Sequence, residues 1–340
     1  MLDASLDRDA RTLVALGRFP LKPALDGLAL ARQAARRDLT AAQKVACLRF
    51  YFDGAGIRNL YATLTRSGSH WSLLGIALAM DLKRGGDGEY RFENDCWIPS
   101  GGAIHTKLDW REPAGDWNSE IDPAVHGIVL TKRMRAAANG AAPPPPVVFH
   151  SHLPMLRLRL AGLGRMRTAV MLRSIYDSME SKYHKHRTLI GMGVRPLEYD
   201  ADAAAPPSAE NDYNFPWEKM VADAIEFYNS WGDALRRFPH IRLFRYEALT
   251  AHPAEAHKDL TDFWRLDVPL DCLKEAFGRI TKAEMAKRIP ERNIDNTSRV
   301  ANREQGAALS PERAAFIRAS LERRLIHDFG YGTDWPTQTL

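Results

Sequence analysis

Cysteine is scarce in this chain: Cys47, Cys96 and Cys272 are the three in 340 residues. An odd count at wide spacing excludes a disulfide framework, and no Cys/His grouping has the spacing of a zinc site. The three read as reduced thiols of a cytoplasmic protein. Long apolar runs are lacking too. The longest, Leu73 to Met80, falls far short of the roughly 20 residues that a membrane span needs. The opening Met1-Leu2-Asp3-Ala4-Ser5-Leu6-Asp7 is acidic and mixed, without the basic-then-apolar order of a secretory signal. No block of one charge sign stands out. Lys and Arg number 47 against 42 Asp and Glu, for a net charge of +5. Such a mild, dispersed excess helps draw an anionic small molecule to a cleft but is no nucleic-acid footprint. The Gly-Lys-Ser/Thr of a Walker loop is also missing, which weighs against a standard P-loop phosphotransferase using ATP.

What is present is the composition of a globular protein, 45% hydrophobic and 26% charged, with short strand patterns alternating with helical ones. Residues 1–50, rich in Ala, Leu and Arg, read as a helical N-terminal accessory segment. Arg58 to Leu64 reads as a strand, and a helix follows from about His70 to Lys83, with Trp71, Leu74, Leu78 and Leu82 at helical spacing. Further strands are expected at Val147 to His150, Thr168 to Leu172 and Ile241 to Arg245, after a stiff connector at Pro143 to Pro146. Helices are expected at Ser174 to Leu189 and Pro216 to Arg237. A last helix opens at Ser310-Pro311, and Thr281 with Glu284 reads as a capping box. This alternation predicts an α/β fold, a central parallel sheet flanked by helices, as one domain over 1–340. Residues 84–125 and 191–216 are expected to be loop regions over the active site, with 198–214 a flexible surface loop. The cluster Lys182-Tyr183-His184-Lys185-His186-Arg187 reads as a solvated basic helix face.

Between the first strand and helix lies Thr65-Arg66-Ser67-Gly68-Ser69-His70-Trp71. Strand, glycine turn, helix is the arrangement in which backbone N–H groups at a helix start meet an anion. Gly68 permits the tight turn and the close approach. Ser67, Ser69 and His70 add side-chain donors. Arg66 adds a permanent charge whose fork suits phosphate oxygens, and Trp71 offers a flat face to a purine.

Arg66-Ser67-Gly68-Ser69-His70-Trp71 resembles the Lys-Ser-Gly-Thr-Thr-Trp signature of the sulfotransferase family, with two departures. Arg66 stands where the family has the lysine that assists the bridging oxygen, and His70 replaces a threonine that binds the 5′-phosphate. His150-Ser151-His152-Leu153-Pro154 resembles the family's Lys-Thr-His-Leu-Pro, with His152 on the catalytic base. Arg173, at a strand end, and Ser181, eight residues on, resemble the pair that binds the 3′-phosphate. Phe244-Arg245-Tyr246-Glu247 resembles the strand whose tyrosine lies near adenine. Arg299 to Gly306 loosely matches the loop that closes over the 3′-phosphate, through Arg299 or Arg303.

The resemblance spans roughly residues 58–310 and implies a P-loop NTPase-like three-layer fold. It also implies 3′-phosphoadenosine-5′-phosphosulfate as donor and 3′-phosphoadenosine-5′-phosphate as product. No metal is needed. The implied reaction is in-line transfer of a sulfuryl group to an acceptor hydroxyl, with His152 as general base. Imidazole suits that task because it titrates near neutral pH. The acceptor is expected to be a carbohydrate, glycolipid or other small molecule, met by variable loops carrying Trp97, His105, Trp110 and Trp117. Two alternatives stay open: an ATP-using phosphotransferase, and a non-catalytic module whose altered loop still holds the nucleotide.

Overall fold

The computed structural model describes residues 58–93, 96–101, 104–107, 147–155, 166–191, 215–288 and 309–334. The accessory segment 1–50, Pro143 to Pro146, the loop 198–214, and Arg299 and Arg303 lie outside the described residues. The elements run, in chain order, β1 (Asn59–Thr63), α1 (Ser69–Lys83), β2 (Tyr90–Glu93), β3 (Cys96–Pro99), β4 (His105–Lys107), β5 (Val148–Ser151), β6 (Arg167–Leu172), α2 (Ile175–Gly191), α3 (Trp217–Arg237), β7 (Ile241–Arg245), α4 (Tyr246–Ala251), α5 (Pro253–Phe263), α6 (Leu270–Arg279), α7 (Lys282–Lys287) and α8 (Pro311–Arg324). The architecture is α/β, with a central parallel sheet and flanking helices. Contacts divide it into two compact units. The described parts of the first fall in the segments ending at Thr63, in Ile104–Met171 and in Glu226–Phe244; those of the second fall in Leu64–Ala103, Leu172–Ile225 and from Arg245 onward.

The first unit holds the sheet, in the order β4-β5-β1-β6-β7. β1 is buried along its whole length, as expected of a strand covered on both faces. It pairs in parallel with β5 on one side, Tyr61 opposite His150. On the other side it pairs with β6, Tyr61 opposite Ala169. Two polar groups of this interior are matched locally: the Tyr61 hydroxyl donates to Met171 Sδ at 2.9 Å, and Asn59 Nδ2 donates to the Val147 carbonyl at 3.1 Å. The part of α3 in this unit fixes the chain just after β5. Trp231, fully buried, donates its Nε1–H to the Leu153 carbonyl at 3.1 Å, and the Met155 N–H donates to Ser230 Oγ at 2.9 Å.

The second unit packs α1 against α5, α6 and the hairpin of β2 and β3. Its core is a cluster that includes Leu74, Leu78, Val268, Leu273, Phe277 and Ile280. α1 comes close to α6 at Gly75, where any Cβ would stand 2.4 Å from Phe277 Cζ. The expected caps form: Thr281 accepts from the Glu284 N–H, and Ser310 accepts from the Arg313 N–H.

Two sequence expectations are corrected here. Within 84–125, the described residues are not all loop: β2 and β3 form an antiparallel pair, Tyr90 opposite Pro99 and Glu93 opposite Cys96, and β4 extends the sheet by pairing with β5. The buried Asp81 of α1 organises the entry to this hairpin. It accepts the Gly88 N–H at 3.0 Å, while Gly86 and Gly101 leave room where a Cβ would lie 2.2–2.6 Å from its carboxylate. Arg288 closes the other end, its guanidinium 4.3 Å above the Tyr90 ring and 2.7 Å from Glu89. The basic cluster of α2 is likewise not wholly solvated: Lys182, Tyr183 and His186 are buried. Phe215 and Trp217 cover that face, with Tyr183 centred 5.1 Å from Trp217 and His186 5.1 Å from Phe215. Of the described cysteines, Cys272 is a free thiol, half-buried against the helical core. Among the described residues no helix is long and apolar enough to cross a membrane.

Candidate functional site

The second unit contains the turn that the sequence singles out. Leu64 is buried, and the chain then reverses through two left-handed residues, Arg66 at φ 66° and Gly68 at φ 73°. Gly68 is the N-cap of α1 and provides no side-chain cap. It must be small as well as left-handed, because a Cβ there would stand 2.8 Å from Tyr246 Cε2. Arg66 is not a glycine, so its conformation is strained and needs support. Support comes as hydrogen bonds to successive carbonyls. Ser67 Oγ donates to Leu64 O at 2.7 Å, Ser178 Oγ to Thr65 O at 2.6 Å, and Arg173 Nη1 to Arg66 O at 2.8 Å. The carbonyls of the turn are thereby engaged by the protein. The first turn of α1 carries no acidic residue, and a helix start has N–H groups without intrahelical acceptors.

The residues expected at the nucleotide's other end meet this turn. Arg66 Nε donates to Ser181 Oγ at 3.2 Å. The Arg173 guanidinium lies 4.5 Å above the Tyr246 ring, the same ring that Gly68 approaches. Arg66, Gly68, Arg173, Ser181 and Tyr246 thus form one connected group. Burial first, then the charges of Arg187 and Arg66, hold the nearby His184 below its ordinary value. Tyr246 is seated by its neighbours in the chain. Arg245 Nη2 donates to the Phe329 carbonyl at 2.6 Å, and Glu247 accepts from the Tyr331 hydroxyl at 2.6 Å. Burial, with Glu247 beside it, keeps that phenol protonated.

The remaining turn residues differ in availability. Ser67 and Ser69 are buried, and the Ser67 hydroxyl is committed to Leu64. His70 is exposed. Trp71 is part of the helical core: its Nε1–H donates to the Ile280 carbonyl at 3.0 Å, and its ring packs edge-on against Phe277 and His257 at 4.9 and 5.5 Å. Trp97, among the residues expected near an acceptor, packs edge-on against Tyr90 at 5.5 Å. Sequence reasoning missed Ser178 as a support of the turn. The available signal was its spacing of three from Ser181, which puts both on one helix face.

The first unit holds the second candidate group. His150 is the penultimate residue of β5 and fully buried; His152 follows the strand's end and is partly exposed. Their rings are 4.6 Å apart and inclined at 80°. Both meet Thr63 at the end of β1. Thr63 Oγ1 is 3.0 Å from His150 Nε2 and 3.1 Å from His152 Nδ1, and the Thr63 carbonyl is 2.9 Å from His152 Nδ1. Sequence reasoning did not connect Thr63 to either ring. Parallel pairing explains it: Ala62 lies opposite Ser151, so the next residues out, Thr63 and His152, come side by side. Among the described residues no group of three or more His, Cys, Asp or Glu side chains is arranged to hold a metal ion.

No family model and no curated protein matches the chain. Among solved structures it is similar to the mouse sulfotransferase SULT7A1 complexed with PAP, at 13% identity over 85% of this chain and 92% of that one, with a TM-score of 0.48. It is also similar to retinol dehydratase in a complex with retinol and PAP, at 12% identity, 84% and 88% coverage and a TM-score of 0.49. A third similar structure is retinol dehydratase with androsterone and inactive cofactor PAP, at 11% identity, 83% and 86% coverage and a TM-score of 0.46.

Proposed function

We propose that this chain is a sulfotransferase that moves a sulfuryl group from 3′-phosphoadenosine-5′-phosphosulfate to the hydroxyl of a carbohydrate, glycolipid or other small molecule. The observation that carries the reading is the joining of Arg66, Arg173, Ser181 and Tyr246 to one glycine turn at the start of α1. Residues spread over 180 positions of sequence thereby supply the charges, hydroxyl and ring that a nucleotide phosphorylated at both ends requires.

In this reading the turn and Arg66 bind the 5′-phosphosulfate, Arg173 and Ser181 the 3′-phosphate, and Tyr246 lies by the adenine. Arg299 or Arg303 is the candidate to close over the 3′-phosphate. His152 takes the acceptor's proton as its oxygen bonds to sulfur. The bond from sulfur to the bridging oxygen breaks, and its electron pair leaves with 3′-phosphoadenosine-5′-phosphate. Arg66 and the amides of the helix start stabilise that developing charge. General-base help is worth roughly 10²–10⁴-fold.

Calorimetry and turnover test the proposal. Binding of 3′-phosphoadenosine-5′-phosphate without magnesium, tighter than that of ATP, is expected; a magnesium-dependent preference for ATP sinks the reading. With labelled donor and a competent acceptor, His152→Ala should lose roughly 10²–10⁴ in kcat, and an unchanged rate removes His152 from the mechanism. One observation favours a second reading, a non-catalytic nucleotide module: the arginine that replaces the family lysine gives its Nε–H to Ser181. Tight bisphosphate binding with no transfer to a broad acceptor panel would select it.

A further inference from the structure

We propose that Thr63 and His150 are positioning residues: Thr63 holds the His152 ring as its Nδ1–H tautomer, and His150 orients the Thr63 hydroxyl that does so. The catalytic consequence rests on the reading of His152 as a base; the tautomer assignment stands on hydrogen-bond geometry alone.

A carbonyl oxygen only accepts hydrogen bonds. The Thr63 carbonyl lies 2.9 Å from His152 Nδ1, so the hydrogen is on Nδ1. That same N–H meets a second acceptor, Thr63 Oγ1, at 3.1 Å. Having accepted there, the threonine hydroxyl directs its own hydrogen elsewhere, and His150 Nε2 is 3.0 Å away. We assign the hydroxyl hydrogen to His150 Nε2, so that the chain of donors runs from His152 Nδ1–H to Thr63 Oγ1–H to His150 Nε2 and the ring hydrogen of His150 is on Nδ1 as well. Thr63 and His150 are both fully buried, so water does not compete for the bond between them.

Two consequences follow for His152. Its neutral ring keeps the lone pair on Nε2, the nitrogen directed away from Thr63. A histidine without such a partner favours the opposite tautomer, with the hydrogen on Nε2 and no basic atom there. In addition, when Nε2 gains a proton the charge spreads to Nδ1–H, whose bonds to the two Thr63 oxygens then become charge-assisted. Thr63 thereby selects the basic nitrogen and stabilises the protonated product, while the turn behind His152 is fixed by the bonds from Trp231 and Ser230. The threonine supplies the carbonyl through its backbone and the hydroxyl through its side chain, so a substitution removes the second and keeps the first.

The test has two arms on the full chain. In the first, the protein carries ¹⁵N-labelled histidine, and two-bond ¹H–¹⁵N spectra report tautomers at a pH where the rings are neutral. His150→Gln and His152→Gln identify the two signals. Both histidines are expected as Nδ1–H tautomers; an Nε2–H tautomer at His152 overturns the proposal. In the second arm, Thr63→Val and Thr63→Ser are compared in sulfuryl transfer. Removing one bond to a group that becomes charged should lower kcat about 10- to 100-fold in Thr63→Val, with bisphosphate affinity unchanged. Thr63→Ser should restore the rate. A Thr63→Val enzyme with native kcat, or a serine variant as slow as the valine, overturns the positioning role. The spectral arm needs neither donor nor acceptor. Failure to find any transfer therefore counts against the sulfotransferase reading, while the wild-type tautomer still decides this one, even if Thr63→Val does not fold.

Discussion

Gly68→Ala perturbs the turn at the point where its backbone meets the side chains proposed to bind the nucleotide. Two penalties add. The residue sits at φ 73°, where a Cβ meets the backbone and costs about 1–2 kcal/mol. The new Cβ would also stand 2.8 Å from Tyr246 Cε2 and 3.4 Å from Cδ2, an overpacking worth roughly 1–3 kcal/mol. The sum, about 2–5 kcal/mol, should appear as a lower urea midpoint. The damage should not stop at stability. A displaced Tyr246 ring removes the seat of the Arg173 guanidinium, 4.5 Å above it, and Arg173 in turn holds the Arg66 carbonyl. Calorimetry should therefore find affinity for 3′-phosphoadenosine-5′-phosphate reduced by about 10-fold or more, equivalent to about 1.4 kcal/mol. Gly85→Ala provides the control: φ is 80° there too, and nothing lies within 4 Å of its Cβ. It should show the backbone penalty alone, with nucleotide affinity unchanged. If Gly68→Ala and Gly85→Ala match in both urea midpoint and affinity, the ring contact carries no weight and the reasoning is refuted.

Ser181→Ala removes the acceptor of the Arg66 Nε–H on a partly exposed face, so bisphosphate affinity should fall about 10-fold with little change in urea midpoint; a native dissociation constant would refute the coupling. His257 is fully buried between Phe277 and Trp71, and burial pushes it down from 6.5 to about 4. The folded chain therefore keeps it neutral while the unfolded chain protonates it first. Its stabilising effect is complete above the unfolded value, declines as pH falls below 6.5, and is lost by the time pH passes through about 4, a total of roughly 3 kcal/mol. Urea midpoints at about pH 7.5 and about pH 4.5 should differ less in His257→Phe than in the wild type, and equal losses in both would remove His257 as the cause.

The elements that sequence reveals best are those whose pattern is local. β1 followed by a polar glycine turn and α1 is legible because a strand buried on both faces, a left-handed residue and a helical period each leave their own mark. β7 is readable from its short run with Ile241, Leu243 and Phe244, and Thr281 and Ser310 announce their helices through side chains that cap them. The hairpin of β2 and β3 is not legible. Its strands have four residues each, and the buried carboxylate that organises its entry, Asp81, belongs to α1. The buried face of α2 is hidden likewise, since Phe215 and Trp217 arrive from a distant stretch of chain. In the candidate site, Arg66, Arg173, Ser181 and Tyr246 are found through motif order. Ser178 and Thr63 escape notice because they act on, or through, backbone carbonyls, which no side-chain pattern records.

Those carbonyls bear on what the turn can bind. A phosphate or sulfate oxygen is an acceptor only, so every outward carbonyl repels it and every outward N–H attracts it. Ser67, Ser178 and Arg173 draw the oxygens of Leu64, Thr65 and Arg66 into the protein. The turn thereby becomes suited to an anion without the sequence of a Walker loop. Arg66 fits this account as a member of the network. Its left-handed backbone is held through its carbonyl by Arg173, and its side chain is held by Ser181 through an N–H that a lysine has no counterpart for. The arrangement also brings two guanidinium groups to one short turn, which suits the proposed doubly phosphorylated ligand. His184 is held below its ordinary value by burial first and then by the charges of Arg187 and Arg66. A ligand that neutralises Arg66 should raise the histidine's affinity for protons, which makes His184 a native reporter for the proposed nucleotide.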